Sequence, residues 1–121
     1  MSAWAWIGVA VAGGLGAVAR FLLDGWVDLG AGRELPLGTF AINVSGAFAL
    51  GLVDGLALSG DAMLIAGTAA IGAYTTFSTW MFETHRLAED GEFTAAALNV
   101  GISIVVGFGA VVLGHLLGRQ L

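Results

Sequence analysis

An all-α integral membrane protein with four transmembrane helices is the fold class predicted here, and three observations predict it. Of 121 residues, 58% are hydrophobic and only 11% charged, and the mean hydropathy is +0.92, far from the balance of a soluble domain. The apolar residues gather into four runs, each of which, at about 1.5 Å per residue, is long enough to cross a hydrocarbon core of about 30 Å. Most of the 20 glycines fall inside those runs, where they let helix backbones approach closely. The length allows one domain, residues 1–121, and the lipid bilayer is its first partner.

The first span, residues 3–23, has no basic residue ahead of it and is full bilayer length, so it reads as a retained helix and not a cleaved leader. Residues 24–36 make a polar loop closing on Pro36, a residue suited to a helix start. The second span, residues 37–58, carries Thr39, Asn43, Ser45 and Asp54, and Ser59-Gly60-Asp61 then makes a tight turn. The third span covers residues 62–82, residues 83–92 form the last loop, and the fourth span covers residues 93–117.

The third span is the unusual one. Its centre reads Gly72-Ala73-Tyr74-Thr75-Thr76-Phe77-Ser78-Thr79-Trp80, a knot of hydroxyls inside an apolar run. Lipid penalises unsatisfied polar groups, so this knot must face protein or a water-filled path. Glycine followed by two β-branched threonines is also poor material for a continuous helix. The third helix is therefore expected to break near mid-membrane, the geometry that aims backbone carbonyls and helix ends at an ion.

Spacing tells which faces meet. Thr39, Asn43, Ala47, Gly51 and Gly55 recur every fourth residue in the second span. Ala95, Asn99, Ser103 and Gly107 do so in the fourth, and Gly8, Ala12, Gly16 and Arg20 in the first. Such stripes are packing faces first, and their amides and hydroxyls form interhelical hydrogen bonds. Trp4, Trp6 and Trp26 suit an interfacial belt.

The chain contains no cysteine and no lysine, and its net charge is −5. Disulfides and thiolate metal sites are excluded, and an acidic surface makes nucleic acid an implausible partner. No nucleophile–base set or acid pair stands out, so an enzyme is not expected. Arg20 can snorkel to the interface, capture an anion in a vestibule, or pair with an acidic residue. Asp54 calls for a partner, and His85 and His115 read as structural.

Three stretches on successive spans carry a resemblance: Gly13-Gly14-Leu15-Gly16-Ala17-Val18-Ala19-Arg20-Phe21, Gly38-Thr39-Phe40-Ala41-Ile42-Asn43-Val44-Ser45-Gly46, and Thr75-Thr76-Phe77-Ser78-Thr79. In that order and spacing the chain resembles the small fluoride channels called Fluc or CrcB. The resemblance implies an antiparallel, dual-topology dimer of four-helix subunits, with two fluoride pores and a central structural sodium ion. It implies that Asn43, Phe77 and Ser103 are pore residues and that Thr39, Ser78, Thr79 and Glu83 lie on or beside a polar track. It also assigns the sodium to the backbone carbonyls of Gly72 and Thr75. Trp80 stands where the family usually has a second phenylalanine, and Asn99 where a tyrosine is common.

The residue chemistry agrees with that resemblance. A small, strongly hydrated anion needs donors to replace its water, with no fixed cation to trap it. Asn43 and the hydroxyls of Thr39, Ser78, Thr79 and Ser103 are such donors, and aromatic edges at Phe77 and Trp80 carry partial positive charge. Residues 62–82 hold no carboxylate, so a cation there would need carbonyl oxygens. Arg33 and Arg86 fall on one side with Arg20 at its edge, against Arg119 on the other. This feeble bias suits insertion in both directions.

The expectation is a passive fluoride channel of the cell membrane that exports the ion and lowers its toxicity, as a homodimer or with a paired homologous subunit. The alternatives are a small four-helix multidrug-type antiporter, which needs a carboxylate in the first span, and a non-conducting subunit of an unequal pair.

Overall fold

The structure, a computed structural model, describes residues 1–31 and 36–121, with residues 28–31 as backbone only. Arg33 and Glu34 lie outside the described residues. All regular structure among the described residues is helical. Among the described residues three helices are long and apolar enough to cross a membrane, over Ala3–Val27, Leu37–Gly55 and Phe93–Gly118.

Helix α1 runs Ala3–Ala31, past the expected loop start at residue 24. Asp24 therefore sits on helix, and its carboxylate lies against Gly38 in the first turn of helix α2, Leu37–Gly55. A negative charge is favoured there by the unpaired N–H groups of a helix start. Beyond α2, Ala57 adopts φ +58° and Gly60 φ +59°, which turns the chain sharply. The next element is built in pieces: α3 (Gly60–Met63), a π-helical stretch over Leu64–Ile71, and α4 (Gly72–Tyr74). Regular helix then stops and resumes as α5, Ser78–Glu89. The expected break is thus present, with residues 75–77 outside any helix.

Most of the expected loop over residues 83–92 is helix. Its residues continue α5 to Glu89, supported by an i,i+4 contact of 2.7 Å between His85 Nε2 and Glu89 Oε1. The turn is made by Gly91 at φ +79°, with Glu92 N–H bonding Leu87 O at 2.9 Å and Gly91 N–H bonding Ala88 O at 3.1 Å. Those two bonds are the Schellman arrangement, in which glycine alone adopts the left-handed position without penalty. Helix α6, Phe93–Gly118, follows.

Packing places α1 along the π-helical stretch and α4, where Gly8 meets the Ile65 side chain and Gly16 the Ala70 carbonyl. Helix α2 crosses α6 through Gly51, Gly55, Gly114 and Gly118, each seated against backbone of the other helix. The small-residue face of α6 therefore lies toward its C-terminus, and Gly107 has open space where a side chain would be. Tertiary approach, and not the four-residue repeat, selects which glycines are used. Buried residues are few, among them Ala5, Thr39, Ile42, Leu87 and Ala96, while Trp4, Phe21, Val105 and Phe108 point outward. That inversion of the soluble pattern suits a lipid surrounding.

Candidate ion path at a broken helix

The break is held from two sides. Thr75 is extended (ψ 163°), yet its N–H still donates to Ile71 O at 2.9 Å and its hydroxyl donates to the same carbonyl at 3.1 Å. One residue on, the helical ladder is abandoned. Thr76 N–H donates to Asn43 Oδ1 at 2.9 Å, and Asn43 Nδ2 donates to Thr76 O at 2.8 Å. An amide side chain on α2 thus replaces both bonds that Thr76 loses, as backbone groups away from water require. Thr76 Oγ1 in turn accepts Thr79 N–H at 3.3 Å, satisfying a donor of the first turn of α5.

Glycines let the flanking helices come this close. Gly16 of α1 leaves no room for a Cβ against Ala70 O, and Gly46 of α2 none against the Thr75 methyl and the Tyr74 ring. Ser45 Oγ and Tyr74 Oη share a hydrogen bond of 2.8 Å, giving that tyrosine a polar tip. Arg20, from α1, donates from Nη1 to Thr75 O at 3.4 Å. The guanidinium thus reaches a carbonyl at the broken helix end, a contact that the sequence did not suggest.

Phe77, just ahead of α5, and Ser78 and Thr79 in its first turn are all exposed. Phe77 is 70% exposed, and its ring meets Trp80 edge-on, with centroids 5.9 Å apart at 78°. One turn further, Thr39 Oγ1 of α2 donates to Glu83 Oε1 at 2.5 Å, and Thr39 itself is buried. The line of residues from Thr76 to Glu83 is thus bonded to α2 at both ends, by Asn43 and by Thr39, with Phe77, Ser78 and Thr79 exposed between.

Ser103 sits apart from that line. It lines a groove of about 250 Å³ between the start of α2 and α6, together with Leu37, Phe40, Leu98, Asn99 and Ile102. Its hydroxyl is enclosed and has no hydrogen-bond partner among the described residues, a donor held in reserve in an apolar wall.

The expected cation position can be tested against the backbone. A regular helix would place Thr76 N–H on the Gly72 carbonyl; that donor is instead committed to Asn43. Gly72 is exposed, with nothing within 4 Å of its missing Cβ. The Gly72 carbonyl thus fits a hard-cation ligand, whereas the Thr75 carbonyl already accepts from Arg20 and fits less simply. Among the described residues no cluster of three His, Cys, Asp or Glu side chains is set to hold a metal.

Several partners were not readable beforehand. Asp54 Oδ2 lies 2.8 Å from His115 Nδ1, which supplies the partner that carboxylate called for. Thr84 joins Trp80 to Asn99 through bonds of 2.8 Å each. The spacing from Trp80 to Thr84 is one helical turn, but no sequence signal relates either residue to Asn99.

Comparison with known proteins agrees with this picture. A family model described as "CrcB-like protein, Camphor Resistance (CrcB)" matches residues 7–115. A protein of Mycolicibacterium paratuberculosis named fluoride-specific ion channel FluC 2 is 53% identical over 114 residues, covering 94% of this chain and 93% of its own. Fluoride-specific ion channel FluC 1 of Symbiobacterium thermophilum is 40% identical over 119 residues, covering 93% and 96%. Fluoride-specific ion channel FluC of Syntrophotalea carbinolica is 43% identical over 118 residues, with the same coverage.

Proposed function

The chain belongs to the CrcB family, and from that premise we propose that it is a passive fluoride channel, not an enzyme. The observation that carries the proposal is the Asn43-clamped break, which leaves Phe77 exposed just ahead of α5 and Ser78 and Thr79 exposed in its first turn. Fluoride entering this line exchanges water for the hydroxyls of Ser78 and Thr79 and the positive edges of Phe77 and Trp80. Asn43 has one amide hydrogen beyond the one given to Thr76, and it is available to the ion. Thr39 and Glu83 extend the polar lining, and Ser103, in the separate groove between α2 and α6, is a further donor of the pore in this reading. Only a compact anion matches so narrow a set of donors, so chloride is excluded.

In this reading the segmented third element, Gly60 to Glu89, completes a fourth crossing, and two chains associate antiparallel in the cell membrane. A sodium ion on their two-fold axis is held by backbone, foremost the Gly72 carbonyls, and supplies a fixed positive charge at the dimer centre. The homodimer is the simpler assembly, and a paired homologous subunit is the alternative partner. The multidrug-type antiporter is disfavoured: the first carboxylate of α1, Asp24, lies near the end of its span against the start of α2.

Purified protein in liposomes should release fluoride down its gradient with chloride nearly excluded. A fluoride electrode reading no efflux from well-folded dimers rejects the homomeric channel. Arg119→Cys should react with membrane-impermeant reagent from both sides, and one-sided labelling in every molecule rejects dual insertion.

A further inference from the structure

We propose that Asn99 and Thr84 are positioning residues for the aromatic pair Phe77–Trp80, acting through Trp80; this rests on the channel reading above. Three hydrogen bonds form a closed circuit between α5 and α6. Trp80 Nε1–H donates to the Asn99 backbone carbonyl at 3.3 Å, Asn99 Nδ2 donates to Thr84 Oγ1 at 2.8 Å, and Thr84 Oγ1 donates to the Trp80 carbonyl at 2.8 Å.

The direction of the circuit follows from its chemistry. A threonine hydroxyl has one proton, and Thr84 spends it on Trp80 O, so its oxygen accepts from Asn99. That fixes the amide with nitrogen toward Thr84. A single residue of α6 thereby holds Trp80 at both ends, the ring by its backbone and the ring's own helical turn by its side chain.

Two consequences bear on the ion path. The indole N–H, a donor that phenylalanine at this position would lack, is committed to Asn99. What Trp80 contributes to the path is therefore its ring, set edge-on to Phe77 at 5.9 Å and 78°. A ring tethered at its far nitrogen cannot swing without breaking that bond, so the pose of the largely exposed Phe77 is referred to α6. Asn99 and Trp80, the two departures noted in the sequence, are in this structure a single contact.

The test uses full-length protein with Asn99→Ala, Thr84→Ala, Thr84→Ser, Trp80→Phe and the Trp80→Phe/Asn99→Ala double variant. Fluoride efflux from liposomes is measured beside the indole N–H resonance of Trp80 in micelles, which Trp80→Phe identifies by its loss. Asn99→Ala and Thr84→Ala should shift the resonance and lower efflux about tenfold, as coupled neighbours do. Thr84→Ser, which keeps the hydroxyl, should restore both. Asn99→Ala removes the bond to Thr84 that sets α6 against α5 and keeps the carbonyl that accepts from the indole. In the Trp80→Phe background, where no indole N–H remains to pass that shift to the ring, it should therefore change efflux less than about twofold. An equal loss in both backgrounds overturns the proposal, as does an unshifted resonance or an unchanged efflux in Asn99→Ala. The resonance needs no fluoride, so absent wild-type efflux rejects the channel reading while the resonance still decides whether these residues hold the indole.

Discussion

The α2–α6 crossing and the helix break are both close approaches that glycine permits, and they are held in opposite ways. At the crossing, Gly51, Gly55, Gly114 and Gly118 bring backbone onto backbone, and contact over a long seam is itself the stabilising interaction. At the break, Gly16 and Gly46 bring α1 and α2 up to residues 70–75, but closeness there serves hydrogen bonding. It lets Asn43 reach Thr76 and Arg20 reach Thr75. Proximity stabilises a regular helix by packing alone, whereas an interrupted one in lipid must also have its backbone polar groups satisfied. The seam is therefore tuned by volume and the break by chemistry.

Substitutions separate the two. Gly114→Val should be the most damaging, because its Cβ would collide with the Phe48 carbonyl, a backbone atom that cannot step aside. A loss of about 3 kcal/mol or more is expected, read as the disappearance of folded protein in size-exclusion and thermal assays. Gly107→Ala on the same helix meets open space and should be neutral within about 0.5 kcal/mol. If the two behaved alike, the seam would not be where the glycines place it.

Asn43→Asp tests the break by chemistry at nearly constant volume. Aspartate keeps the acceptor for Thr76 N–H and removes the donor to Thr76 O, an expected cost of about 1–3 kcal/mol. It also puts a potential negative charge on an anion path, so fluoride efflux should be lost. Wild-type efflux with wild-type melting would detach Asn43 from both roles.

Phe77→Ile should leave stability within about 0.5 kcal/mol, since the ring is mostly exposed, while abolishing flux because isoleucine offers no polarised edge. Undiminished flux would return Phe77 to a packing role. Smallest of all, His115→Ala removes an exposed contact with Asp54 near the seam and should cost about 0–1 kcal/mol. A larger loss in thermal unfolding would mean that side-chain pairing, and not glycine contact, holds that end of the seam.

What the sequence determined by itself is what depends on neighbours along the chain. Apolar run length set the membrane class. Gly72 followed by Thr75 and Thr76 foretold the interruption, because propensity and polarity both act locally. The every-fourth spacing of Gly8 and Gly16, and of Gly51 and Gly55, correctly gave the faces on which α1 and α2 are approached. The same spacing misled at Gly107, where no helix arrives. Polarity also misled at the loops expected over residues 24–36 and 83–92, since α1 continues to Ala31 and α5 to Glu89 and polar residues can extend a helix beyond its apolar run. Tertiary structure alone decided where Asn43 spends its amide, that Arg20 reaches a carbonyl, and that Trp80 and Asn99 meet. Each of those bonds joins residues on different helices, and a hydrogen bond exists only where donor and acceptor come within about 3 Å. Helix periodicity orients a side chain to within a face, but only the relative placement of two helices closes that last distance.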